Sequence, residues 1–216
     1  MAATEPDVRS FASPIADPAP LGLAAFALTT FLISAKNAQW THGTEAWLGF
    51  AFAYGGLAQL LAGMWEFRNR NVFGATAFST YGAFWIGLAI YIRTLPSTAT
   101  PVQVDNDLGW IFVAFAIFNT YMLLWATQVN MAVFLVFLTL EATEIVLAIG
   151  NFATNTETIK VGGYVGILTA AVAWYASAAG VINGLTGRRV LTVGSPFASL
   201  PTTADRAPSR TPMPQH

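Results

Sequence analysis

Two glutamates, Glu141 and Glu144, sit inside a run from Met131 to Gly150 that carries no other charge. An ionised carboxyl near the centre of a bilayer costs about 2.5 kcal/mol or more on insertion scales, so such residues face a protein interior or water and often hold a proton that matters. The other apolar runs add a few neutral hydrogen-bonding groups: Thr29, Thr30, Gln59, Tyr81 and Asn119. No lysine or arginine lies in the middle of a run, because Lys36, Arg93 and Lys160 fall at run ends or between runs. The available chemistry is therefore proton holding and neutral hydrogen bonding, without fixed positive charge. A plainer role stands beside it for every one of these groups, since polar side chains commonly tie membrane helices together. The glutamate pair, protonated or hydrogen-bonded, has that same alternative.

The elements that must position these groups are set by composition. Of 216 residues, 55% are hydrophobic and 10% charged, and the mean hydropathy is +0.54; a soluble chain normally carries about a quarter charged residues. The uncharged stretches approach the roughly twenty residues that span a bilayer as a helix. Six spans are expected: Pro20 to Ala35, Ala46 to Trp65, Ala75 to Ile92, Leu108 to Gln128, Met131 to Gly150, and Gly162 to Leu185. Lipid satisfies no open backbone group, so each span is expected to be helical. A β-barrel would show short alternating segments, whereas these runs are continuous. The fold class is an all-α membrane protein.

Outside the spans, the chain divides into a flexible N-terminus over 1–16, a six-helix transmembrane domain over 17–187 and a flexible tail over 188–216. The tail is rich in Gly, Pro, Ser and Thr, a composition too polar to bury a core. The N-terminal residues lack a basic segment followed by an apolar one, so the first span is expected to direct insertion itself. With six spans, one face collects Arg9, Arg68, Arg70, Arg188, Arg189, Arg206 and Arg210, against Lys36, Arg93 and Lys160 on the other. Seven against three puts both termini in the cytoplasm.

Several function classes lose support. A net charge of -1 with no basic stripe argues against nucleic acid. With no cysteine, there is no disulfide, thiolate metal site or cysteine nucleophile. His42 lies in a loop and His216 is the last residue, so no His-carboxylate cluster suggests an enzyme or a metal centre. A retinal Schiff base needs a lysine within a span, and none is central. No cofactor is expected.

Small residues mark helix packing. Ala75, Ser79, Ala83 and Gly87 recur every four positions on the third span, as do Gly162, Gly166 and Ala170, then Ala176, Gly180 and Gly184, on the sixth. Such ridges let helices approach closely. Tyr81 is two residues past Ser79, about 200° around the helix, and so faces away from its ridge. At the mouth of the first span, Asp17-Pro18-Ala19-Pro20-Leu21-Gly22-Leu23 places prolines where helix amides have no partner in any case.

That string resembles the opening motif of the acetate uptake transporter family, which includes the succinate-acetate permeases and their fungal relatives. Tyr54-Gly55-Gly56-Leu57-Ala58-Gln59 with Ala62-Gly63, the stretch Phe73 to Trp85, and Ala148-Ile149-Gly150-Asn151 are similar to further motifs of the family. The likeness runs from about residue 17 to 194. It implies a six-helix protomer around its own pore, a homohexamer in the plasma membrane, and transport of acetate and related short carboxylates. The family's apolar constriction of Phe, Tyr and Leu corresponds to Phe26, Tyr81 and Leu140. Asp17 stands where the family usually has Asn, exchanging an amide for a carboxylate that can still cap a helix; it could also repel an anion if it lines a vestibule. Thr192 stands where Pro is expected.

If Leu140 faces a pore, Glu144 lies about 40° from it around the helix and Glu141 about 100°. Glu144 is then the better pore residue, and Glu141 the better interhelical or intersubunit contact. Gln59, Thr29, Thr30 and Asn119 are the remaining donors along the path, with Gln59 favoured over Asn119. An apolar neck resists ions by size and dewetting, which favours the protonated acid or a carboxylate moving with a proton. A hexameric channel for urea or another neutral solute, and an acetate sensor without flux, remain the alternatives.

Overall fold

The structure is a computed structural model that describes residues 15–43 and 45–196. The expected flexible N-terminus up to residue 14, and the tail from residue 197, lie outside the described residues. The elements are α1 (Ala19–Asn37), α2 (Glu45–Phe50), a π-helical segment (Ala51–Ala58), α3 (Gln59–Arg68), α4 (Val72–Thr94), α5 (Pro101–Ala126), α6 (Met131–Phe152) and α7 (Thr156–Thr186). Among the described residues, six helices are long and apolar enough to cross a membrane, with α2, the π segment and α3 together forming the second. All secondary structure among the described residues is helical.

Local chemistry explains the helix starts. The Asp17 carboxylate accepts from the Ala19 amide at 3.0 Å, so it caps an orphan donor at the head of α1. Asn71, Asn130 and Asn155 each accept from an amide three residues on, opening α4, α6 and α7. α5 begins with Thr100 and Gln103 in a reciprocal capping box and Pro101 in the first turn. That box corrects the expected start at Leu108: the polar stretch before it is helical. α7 likewise starts at Thr156 and not at Gly162.

Glycines set the packing distances. A Cβ on Gly163 would stand 2.8 Å from the Ser34 carbonyl oxygen, so α7 and α1 meet backbone to backbone. Gly82 approaches Leu60 N in the same way, at 2.6 Å, joining α4 to α3. The expected ridges are corrected in part. Ala75 is buried and Ser79 backs onto Gly63, whereas Ala83 and Gly87 face outward into a groove between α4 and α5. On α7, Gly166 meets the Ser34 hydroxyl and Gly180 meets Pro20, while Gly184 faces open space. α5 leans on α6 and touches α4 little.

Within the stretch expected as tail, residues 190–193 fold back onto α6 and α7. Asn183 donates to the Leu191 carbonyl and accepts from the amides of Val190 and Leu191. Tyr175 donates to the Thr192 carbonyl at 2.6 Å, and the Val193 carbonyl accepts from Ala132 at the head of α6. Backbone groups that composition left unpartnered thus find partners on α6 and α7.

Gly163→Ala should lower the stability of the detergent-solubilised protein by roughly 1–3 kcal/mol, the usual range for an overpacked contact. Gly87→Ala meets nothing within 4 Å and should leave thermal unfolding unchanged or slightly raised. Equal melting of both variants would remove the backbone contact from the account of stability.

Candidate functional site

Two cavities lie inside the bundle. The larger, about 350 Å³, is lined in part by Asp17, Gln59, Asn71, Asn130 and Asn183. The smaller, about 30 Å³, lies deeper and is lined by Thr30, Trp85, Thr143 and Glu144 among others. Three residues line both: Phe26 from α1, Tyr81 from α4 and Leu140 from α6. They are 5%, 3% and 6% exposed, so the partition between vestibule and inner chamber is a dense apolar one. Neither lining contains lysine or arginine.

The partition is held by rings and by one polar network. The Tyr81 ring contacts Phe26 at 5.7 Å edge-on, with Phe84, Phe115 and Phe118 at 6.3, 5.8 and 5.5 Å. Its hydroxyl lies 3.0 Å from Asn119 Oδ1 and 3.2 Å from Glu144 Oε1. On its other side, Asn119 Nδ2 donates to the Phe137 carbonyl at 2.9 Å and to Glu141 Oε2 at 2.7 Å. Those two acceptors fix the amide orientation and leave Oδ1, which can only accept, facing Tyr81.

The Tyr81 hydroxyl is the donor toward both acceptors, Asn119 Oδ1 and Glu144 Oε1, which compete for its one hydrogen. Glu144 is 4% exposed and its Oε2 has no partner, so an ionised carboxyl would be costly there. Glu141 is more exposed and accepts from Asn119, with the Thr120 hydroxyl 2.8 Å from its Oε1. The helical angle from Leu140 separates the two glutamates in the same sense: Glu144 toward the chamber, Glu141 toward α5.

The other path candidates divide. Gln59 lines the vestibule, buried, with Oε1 unpartnered. Thr30 lines the inner chamber, and its hydroxyl also has no partner. Thr29 lines neither cavity; its hydroxyl bonds back to Ala25 and Phe26, and its side chain packs on Gly55 of the π segment. The hydrogen of its hydroxyl is thus spent on its own helix. Asn119 and Glu141 line neither cavity and act on Tyr81 from behind. Pro18 and Pro20 start α1, and Gly22 seats the Phe78 ring.

Trp85 is the site residue that sequence reasoning missed, and Glu66 is a buried carboxyl it passed over. Trp85 lines the inner chamber with its indole nitrogen unpartnered, and its spacing of four from Tyr81 carried the signal. Glu66 is fully buried at the end of α3, its Oε2 3.5 Å from Asn69 Nδ2 and its Oε1 without a partner.

The sequence model of the GPR1/FUN34/yaaH family matches residues 2–193. Acetate permease A of Emericella nidulans is 41% identical over 186 residues, 78% of this chain and 62% of the relative. Ammonia transport outward protein 2 of Saccharomyces cerevisiae is 36% identical over 173 residues, 77% of this chain and 61% of the relative. The chain thus spans about three fifths of the length of the first fungal relatives it matches. The succinate-acetate/proton symporter SatP of Escherichia coli is 33% identical over 180 residues, 83% of this chain and 96% of the relative. Among solved structures, that of the bacterial acetate channel SatP superposes with a TM-score of 0.78 at 34% identity, covering 83% of this chain and 99% of that one.

Tyr81→Phe removes the hydroxyl that Asn119 and Glu144 share, and should lower the stability of the detergent-solubilised protein by about 1–3 kcal/mol, the cost of leaving buried polar groups unpaired. Unchanged thermal unfolding would remove this network from the account of the partition.

Proposed function

The chain belongs to the GPR1/FUN34/yaaH family, and from that premise we propose that it carries acetate and other short carboxylates, succinate among them, across the plasma membrane. The observation that carries this reading is the shared wall of Phe26, Tyr81 and Leu140 between two cavities without a basic residue. A carboxylate anion squeezed there would shed water with no cation to replace it. The solute passes as the neutral acid, or together with a proton, and Phe26, Tyr81 and Leu140 set the size limit. The fold is a scaffold for passage and not for catalysis.

The finer parts of the reading rest on the family and on charge. A homohexamer of protomers, each with its own pore, follows the family pattern, and the outward face of α5, with Trp110, Ile117, Leu124 and Trp125 exposed, suits lipid or a neighbouring copy. Both termini lie in the cytoplasm by the excess of arginine on their side. In the vestibule, Asp17 places negative charge near the mouth, which disfavours the anion and leaves the neutral acid unaffected. A neutral-solute channel is the second reading, favoured by the absence of any fixed charge in the neck itself.

Liposomes holding the full chain should take up acetate with acidification of the lumen, faster as the external pH falls, and without dependence on membrane voltage. Electrogenic acetate flux at a rate indifferent to pH would overturn the reading. Faster urea or ammonia flux than acetate flux would favour the neutral-solute channel, and saturable binding without flux would make the protein a sensor. Phe26→Ala or Tyr81→Ala should narrow the preference for acetate over longer acids by about tenfold, the scale of one methylene in an apolar pocket. Unchanged discrimination would remove these residues from the size limit.

A further inference from the structure

Two glutamates are buried among the described residues, Glu66 and Glu144. Glu144 belongs to the partition, whereas Glu66 ends α3 under the turn that leads into α4. Three residues around its carboxyl line the vestibule: Asn69, Asn71 and Gly74, the last two helical turns from Tyr81. Glu66 Oε2 lies 3.5 Å from Asn69 Nδ2, and Oε1 has no partner. A Cβ on Gly74 would stand 3.0 Å from Oε1 and 2.5 Å from Asn71 Nδ2, so carboxyl and amide meet in space that only a glycine leaves free. The same turn is closed by the Asn71 amide on the Glu66 carbonyl at 3.0 Å and by the Gly74 amide on Asn71 Oδ1 at 3.1 Å.

Charge makes this slot selective for one form of the side chain. An ionised carboxyl there would have one oxygen without a donor, a costly state for a group with no exposure. Arg68 and Arg70 on the same turn are exposed to water, and the charge that reaches Glu66 from α1 is that of another acid, Asp17. α4 carries no titratable residue before Tyr81, α6 none before Glu141, and the vestibule-lining part of α7 from Ala176 to Asn183 none. The turn also has a ready hinge, because Arg70 sits at a φ of 59° that a residue with a Cβ holds only at a cost.

We propose that Glu66 is a proton-operated switch of the vestibule. As the neutral acid it stays in its slot and leaves the mouth clear. As the anion it moves with the Asn69–Asn71 turn toward the water of the vestibule, beside Asp17, and slows the passage of a carboxylic acid. The inference rests on the reading of the protein as a carboxylate carrier and adds a control separate from protonation of the solute. The step is acid–base exchange alone: Glu66 releases its proton to water and regains it from water. Two negative groups then face one mouth, which repels an anion, and the displaced turn takes up room that a neutral acid needs. Passage is fast below the titration of Glu66 and slow above it.

The chain has no cysteine, so Val72→Cys, 74% exposed beside the turn, accepts a single spin label on the full-length protein. In liposomes the mobility of that label should change with pH along a one-proton curve. The change should vanish when Glu66→Gln is added, since the amide has the shape of the neutral acid and does not titrate, and it should persist with Asp17→Asn. Isotopic exchange of acetate, at equal pH inside and out and with neutral acetic acid held at one concentration, should slow roughly tenfold per pH unit above the midpoint in the wild type. In Glu66→Gln it should be flat. Gly74→Ala fills the slot with a methyl group and should hold the label in its high-pH state, with slow exchange at every pH. A label transition that survives Glu66→Gln, a wild-type exchange rate indifferent to pH, or fast exchange in Gly74→Ala each overturns the switch and leaves the transport reading intact. A transition lost in Glu66→Gln without acetate exchange in any variant keeps the switching turn and overturns transport.

Discussion

A carboxyl group that leaves water while ionised must meet a cation or lose its charge. Neither cavity of this bundle is lined by a cation, and the protein's own Glu144 stands under the same constraint. It is buried, with Oε1 accepting from Tyr81 and Oε2 unpartnered. The solute proposed for this pore is chemically the same group on a smaller body, and the same surroundings act on both. The glutamate and the acid are therefore two instances of one desolvation problem.

The network behind the wall holds Tyr81 in place. Glu141 accepts from Asn119, and the Tyr81 hydroxyl donates to Asn119 and to Glu144. The chain of four crosses from α6 to α5 to α4 and back to α6, so it ties α5 to the core beside the Phe115 and Phe118 rings that pack on Tyr81.

Much of this was legible in the sequence, for definite reasons. Continuous apolar runs revealed the six spans because lipid tolerates little else. The helical angle from Leu140 separated Glu144 from Glu141 because the five residues from Leu140 to Glu144 lie in one regular helix and keep their phase. Ends were less legible: the stretch from Pro101 to Asp107 is polar enough to pass for a loop, and only the Thr100–Gln103 box makes it helix. The π-helical turn over Ala51–Ala58 left no trace in a stretch of small residues, whose pattern fits either register. The role of Asn119 was hidden for a different reason. Its partners lie 18, 22 and 38 residues away, and no local spacing encodes which helices meet.

The glycine contacts that lock the helices and the rings that fill the passage use different residues. Gly163 rests on Ser34, Gly82 on Leu60 and Gly180 on Pro20, while Phe26, Tyr81 and Leu140 appear in none of these close approaches. The architecture is thus modular in an evolutionary sense. Lineages can re-bore the aperture at Phe26 or Leu140, one plug at a time, without renegotiating the frame, and a common ancestor could diversify toward cargoes of different girth while its chassis stayed recognisable.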